Sequence, residues 1–368
     1  MRGFVLVLAT IVAGGVAGCG GSSSSDTTPD APSADAPAVD APPPPRRQLG
    51  IEVNQPAGFD QGQEIDLAKT FGVGAIQLTI PWVALEPDGN GFDQNEVSLL
   101  QFGMSYYHQH GVHVLLSVPV VDTVGTFVPS DLAGQKLDSP AVIARAEAMV
   151  GEVLAQCGPE LEYFVLSNEV DINLADGTPT WSELDTMIAA MAARAHALRP
   201  DVKTGVSVTA GSLLSSPPNA DAVAALAAND VAFVTYYHAG NFGTTSTNGV
   251  VADMAGIVAT TQRPVVFKEF GYATGDLIGG STDGQVQFVT DAFTAWDAHA
   301  DRIPLVMYSR MFDTDMPTCV QEAADYGDPG DQAFIQFLCT LGLRSYADEA
   351  KPAWATFTAA AQARTWSN

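Results

Sequence analysis

The chain has 368 residues, with 42 acidic side chains against 16 basic ones and a formal net charge of −26. That imbalance excludes a nucleic-acid partner, because neutralising phosphates takes clustered Lys and Arg. Hydrophobic residues make up 46% and charged residues 16%, which excludes disorder of the whole chain and leaves enough apolar material for a substantial core.

The sequence begins Met1-Arg2, runs largely apolar from Phe4 to Ala13 and closes on Val16-Ala17-Gly18-Cys19. A membrane-spanning helix needs about 20 apolar residues. This run is shorter and rich in Gly and Ala, so residues 1–18 read as a cleaved export signal. Val-Ala-Gly-Cys resembles the lipobox of bacterial lipoproteins, with Val in place of the usual Leu; the resemblance implies that Cys19 becomes the lipidated first residue. Residues 19–47 are Ser-rich, then repeat Asp-Ala-Pro and reach four prolines at 42–45. Such a segment buries too little apolar surface to offset its ordering entropy, and its prolines keep it extended. It reads as a tether holding residues 48–368, a folded domain, off a membrane at the bacterial cell envelope, on the periplasmic or surface face of the outer membrane.

Within the domain, β-rich runs fall at 50–53, 75–80, 112–118, 161–167, 203–208, 231–237, 264–270 and 303–308. Amphipathic helical stretches lie between them at 94–110, 141–155, 182–198, 220–228, 250–261 and 284–300. Strands alternating with helices imply right-handed βαβ units. Eight units over this length fit an α/β fold of the (β/α)₈ TIM-barrel type, with chemistry at the C-terminal strand ends. An open doubly wound sheet would carry a Gly-rich phosphate turn after its first strand, and Glu52-Val53-Asn54-Gln55-Pro56 is no such turn.

The fourth run passes directly into Asn168-Glu169, and the seventh into Lys268-Glu269-Phe270-Gly271. Two carboxylates therefore close two apolar strands and should face one mouth. Glycoside hydrolysis requires such a pair, one to protonate the leaving oxygen and one to attack carbon or activate water. Strand alternation sends neighbours to opposite faces, so Lys268 is expected to face away from Glu269.

Asn168-Glu169 after the fourth strand and Glu269 after the seventh resemble the acid/base and nucleophile of the clan A retaining glycoside hydrolases. Pro81-Trp82-Val83-Ala84-Leu85-Glu86-Pro87 followed by Gly91-Phe92-Asp93 is similar to a W-x-x-x-E-P segment after strand two in many members. The resemblance implies double displacement on a β-linked poly- or oligosaccharide, with Glu169 as acid/base and Glu269 as nucleophile. It also implies that Asn168 binds the sugar 2-hydroxyl and that Tyr237 orients the nucleophile. His238, Trp82 and Trp181, near strand ends, are further candidates for sugar contact. Two clan features are absent: the second run, Ala75-Ile76-Gln77-Leu78-Thr79, has no arginine, and the eighth, ending Met307-Tyr308-Ser309-Arg310, has no tryptophan.

Cys319 and Cys339 enclose a loop rich in Asp, Gly and Pro, and export permits a disulfide between them; Cys157 is then a lone thiol. No Cys or His spacing resembles a zinc site. His108, His110 and His113 straddle a turn, and Asp313, Asp315, Asp325, Asp328 and Asp331 read as a solvated acidic surface. No cofactor or metal is called for, and a monomer is expected. Two function classes follow: a tethered glycosidase, or a carbohydrate-binding lipoprotein on a degenerate barrel that captures glycans uncut.

Overall fold

The computed structural model describes residues 47–238 and 249–367. The expected export signal, the lipidated Cys19 and all of the expected tether except Arg47 lie outside the described residues. Eight parallel strands close into a barrel in chain order: β1 (Gln48–Ile51), β2 (Val73–Thr79), β3 (His113–Ser117), β4 (Leu161–Ser167), β5 (Lys203–Thr209), β6 (Ala232–Tyr237), β7 (Val265–Gly271) and β8 (Leu305–Tyr308). Closure is a parallel pairing of β1 with β8 that runs from Gln48 beside Leu305 to Ile51 beside Tyr308. The eight-stranded (β/α)₈ expectation holds, with strand bounds shifted by two residues or fewer.

Helices α1 (Gln61–Lys69), α2 (Gln94–Gln109), α3 (Pro140–Ala155), α4 (Trp181–Leu198), α5 (Ala220–Ala228), α6 (Val250–Thr260), α7 (Thr282–Ala298) and α8 (Pro352–Gln362) connect or follow the strands. Most open on a side-chain cap: Asp60, Asp93, Ser139, Thr180, Asn219 and Ser281 each accept a backbone N–H of the first turn, which satisfies donors the helix itself cannot. The sequence reading passed over α1 because its pattern is weak, with only Ile65 and Ala68 buried.

Side chains divide between two layers. Ala75, Leu115, Tyr163, Val165, Val231, Phe233, Val266, Leu305 and Met307 fill the barrel interior, while alternate residues such as Val114, Phe164, Val234 and Phe267 face the helices in the larger core. Gly50 belongs to this packing, since a Cβ there would lie 2.5 Å from Met307 Sδ.

Three features correct the sequence reading. The loop enclosed by Cys319 and Cys339 is in fact two helices, Met316–Asp325 and Gln332–Cys339, joined by a disulfide with Cα atoms 5.6 Å apart. Asp315 and Asp331 cap those helices and Asp313 pairs with Lys351, so part of the acidic run is spent on local structure. Arg47, assigned to the tether, is bound to the domain. Its guanidinium pairs with Asp297 at 2.7 Å and lies over Trp296 and Trp366, while Ser367 N–H donates to its carbonyl.

Among the described residues, no helix is long and apolar enough to cross a membrane, and no group of three His, Cys, Asp or Glu could hold a metal ion. His108, His110 and His113 turn to separate acids, Glu160, Asp66 and Glu162. Cys157 stays a free thiol, its pKa pushed up to about 12 by burial.

Candidate active site

The site begins where β4 runs out. Asn168 follows Ser167, the last residue of β4, and Glu169 then takes φ 43°, ψ 46°, the left-handed conformation that non-glycine residues seldom adopt. That turn stops the strand abruptly and ends it on the carboxyl. Ser207, buried on β5, accepts the Glu169 N–H at 3.1 Å and donates its hydroxyl to Asn168 Oδ1 at 2.9 Å. Thr235, on β6, donates to Glu169 Oε1 at 2.5 Å.

After β3, the chain follows the end of β4: Val120 N–H donates to the Leu166 carbonyl and Asn168 N–H to that of Val121. This delivers Asp122, which accepts from Asn168 Nδ2 at 3.1 Å.

The second carboxyl owes its direction to an irregularity in β7. Val234 pairs with Phe267, but its successor Thr235 pairs with Glu269, so β7 has one residue more than β6 across this step. A bulge of this kind re-aims side chains. Val266 points into the barrel and Phe267 outward, after which both Lys268 and Glu269 turn to the mouth. The expectation that Lys268 faces away from Glu269 is therefore wrong: Lys268 Nζ, in a side chain 1% exposed, donates to Glu269 Oε1 and to Asn168 Oδ1, both at 2.6 Å.

Tyr237 donates to Glu269 Oε2 at 2.9 Å and lies 3.1 Å from Ser309 Oγ, at the end of β8. A third donor is Gln77 of β2. Beside these groups opens a cavity of about 360 Å³ lined in part by Glu52, Gln77, Asp122, Arg310 and Tyr326. Tyr326 follows the first helix of the disulfide-linked pair after β8 and is 42% exposed.

These surroundings set the two carboxyls apart. Burial and the negative charge of Glu269 push the Glu169 pKa up to about 8, only partly offset by the Thr235 hydrogen bond and the more distant Lys268. Burial acts on Glu269 in the same direction, but the Lys268 ammonium and the bonds from Lys268, Tyr237 and Gln77 outweigh it and hold Glu269 below the usual carboxylate range. Near neutrality one group is a proton donor and the other an anion, the division that acid-assisted displacement needs.

The structure thus groups Asn168, Glu169, Tyr237 and Glu269. It does not bring the other three candidates to them. Trp82 is fully buried and donates its indole N–H to Glu86 at 3.0 Å; Glu86 pairs with Arg145, which also holds Asp131. The W-x-x-x-E-P segment is therefore a strut under the loops rather than a sugar platform. His238 contacts Tyr236 and Asp253 because alternation sends Tyr236 and His238 outward and Tyr237 inward. Trp181 opens α4 and packs partly buried against the main core.

Five residues of the site escaped the sequence reading. Lys268 had a signal, a charge set beside Glu269 at the end of an apolar strand, and Asp122 had another, an acid closing the run through Val120-Val121. Ser207, Thr235 and Gln77 are small or neutral polar residues within strands, and nothing local separates them from ordinary ones.

No family model matches the chain, and no curated protein matches it. Solved structures do. A GH5_18 protein from Bifidobacterium longum subsp. longum ATCC 55813 is 17% identical with a TM-score of 0.64, over 85% of this chain and 78% of that one; a variant form was solved with Manb1-4GlcNAc. An exo-beta-1,4-mannosidase from Opitutaceae bacterium strain TAV5 is 18% identical with a TM-score of 0.66, over 87% of this chain and 60% of that one. A beta-glucosidase, 13% identical with a TM-score of 0.58, matches over 81% and 86%. These likenesses establish the fold, shared with glycoside hydrolases.

Proposed function

We propose that the domain is a retaining glycoside hydrolase acting on a β-linked poly- or oligosaccharide, with Glu169 as acid/base and Glu269 as nucleophile. The observation that carries this reading is geometric: carboxyls at the ends of β4 and β7 lie in one mouth, Glu169 held by the Thr235 hydroxyl and Glu269 by the Lys268 ammonium and the Tyr237 phenol. Glu169 protonates the departing oxygen while Glu269 attacks the anomeric carbon, forming a glycosyl ester. Esterification removes the Glu269 charge, which with burial and the Asp122 charge kept Glu169 protonated. Its pKa then falls, and the same carboxylate takes a proton from the water that releases the sugar. Asn168 presents its remaining amide hydrogen to the sugar 2-hydroxyl. Among β-linked substrates, β-mannosides are the first to try, in view of the neighbours solved with Manb1-4GlcNAc or named as mannosidase.

The test is a panel of aryl β-glycosides and oligosaccharides, with the anomer of the first product read by NMR. β-Product is expected; first-formed α-product would remove the nucleophile assignment, and glycan binding without turnover would favour a capture protein. Anchoring belongs to the same proposal: Cys19→Ser should move the protein out of the membrane fraction without changing its rate on a soluble substrate, and retention in that fraction would count against lipidation.

A further inference from the structure

Of the groups that hold the Glu269 carboxylate, Tyr237 and Gln77 are neutral and Lys268 carries a charge. A carboxylate buried at the mouth of a barrel needs a cation if it is to stay ionised there. We propose that Lys268 is the positioning residue that supplies this cation, fixing both the Glu269 carboxylate and the Asn168 amide for attack. The inference rests on the glycosidase reading and adds to it a residue that comes from the bulge in β7 rather than from β2.

The geometry assigns both tasks to one ammonium. Lys Nζ has donors and no acceptor, so the amide atom facing it at 2.6 Å must be Asn168 Oδ1. The reversed amide would set an NH₂ group against an ammonium. Ser207 enforces the same choice from the other side, donating to Oδ1 after accepting the Glu169 N–H. With Oδ1 fixed, Nδ2 turns to Asp122 and keeps one hydrogen for substrate. Lys268 also holds Glu269 Oε1, while Tyr237 holds Oε2. Backbone, hydroxyl, amide, ammonium and phenol thus link the backbone of one glutamate to the carboxylate of the other.

The charge acts a second time after the first displacement. The glycosyl ester leaves Glu269 neutral, so the buried Lys268 charge is no longer matched by its neighbour. What remains of its field favours the anionic form of Glu169, the form that activates water. Lys268 therefore assists both halves of the cycle without touching substrate.

The experiment combines a titration that needs no turnover with kinetics that do. The Glu269 carboxyl is followed by ¹³C NMR against pH in protein carrying Glu169→Gln, which removes the coupling between the glutamates, and the measurement is repeated with Lys268→Met and Lys268→Arg added. Glu269 should titrate below the usual value of about 4.3 when Lys268 is present, about 1–3 pH units higher in Lys268→Met, and close to its original value in Lys268→Arg. In protein that keeps Glu169, Lys268→Met should lose about 10²-fold in kcat with KM little changed, and the acidic limb of kcat/KM should move to higher pH. Lys268→Arg should recover part of both.

An unchanged Glu269 titration in Lys268→Met, or an arginine variant no better than methionine, overturns the proposal. If Lys268→Met does not fold, the protein with Lys268 intact decides alone, since a Glu269 titrating above the usual value there is enough to reject it. Absence of turnover by the unmodified protein on every glycoside tried would be a failure of the glycosidase reading, whereas the titration reports on Lys268 either way.

Discussion

The ends of β4 and β7 each carry a glutamate, yet they treat it oppositely. At β4 a left-handed backbone holds Glu169 over a single hydroxyl, that of Thr235, within reach of another anion. At β7 a bulge delivers Glu269 to an ammonium, a phenol and an amide. Both carboxyls lie at the base of the mouth, so burial pushes both upward, and the count and charge of the donors decide which one stays ionised. Identical side chains thus acquire different chemistry from neighbours belonging mostly to other strands.

The largest effect should come from removing the carboxyl that its donors keep ionised. Glu269→Ala is expected to abolish turnover of every substrate, aryl glycosides included, with a loss beyond the about 10²–10⁴-fold ascribed to acid–base assistance. Glu169→Ala should fall within that range on oligosaccharides. On an activated aryl glycoside it should release a burst of phenol followed by slow turnover, as the ester accumulates with no base to clear it. The opposite pair of behaviours would exchange the two roles.

Tyr237→Phe tests one donor at a time. Losing a hydrogen bond to a charged acceptor, worth about 1.5–3 kcal/mol, should lower kcat about 10–100-fold and move the acidic limb to higher pH. An unaltered pH profile would mean that Tyr237 does not help hold the charge.

The smallest effect is on stability. Below the ordinary glutamate value of 4.5, Glu169 is protonated in folded and unfolded chains alike; as pH rises toward about 8 the unfolded chain releases the proton while the folded protein retains it, and stability is lost across that interval. Glu169→Gln keeps an acceptor for Thr235 and removes the ionisation. Its melting temperature should match the wild type near pH 4.5 and exceed it increasingly up to pH 8, by the equivalent of about 0.5–2 kcal/mol. Parallel curves across that interval would show that Glu169 is not held protonated.

Much of the barrel was legible because periodicity is a local signal. All eight strands and six of the helices stood out, whereas α1, α8 and the helical pair at 316–339, each of 11 residues or fewer, did not. The glutamates were legible because each follows an apolar run directly. What surrounds them was not. The lateral register of β6 against β7 decides that Lys268 joins Glu269, and register between strands leaves no mark on either sequence alone. Alternation, applied without the bulge, gave the wrong face for Lys268, while it correctly separates Tyr237 from Tyr236. Trp82 misled for a different reason: its motif persists here because it braces Glu86 and Arg145, so that segment marks architecture and says little about what the mouth accepts.

The clasp on Arg47 fixes a direction as well as a boundary. Arg47 immediately precedes β1 and is gripped by Asp297, Trp296, Trp366 and Ser367, at the entry ends of the strands, while both glutamates stand at the exit ends. Whatever is joined ahead of Arg47 therefore departs from the floor of the barrel. The mouth that holds both glutamates is therefore left clear of the chain's own continuation, so a linkage made ahead of Arg47 would not have to cross the opening.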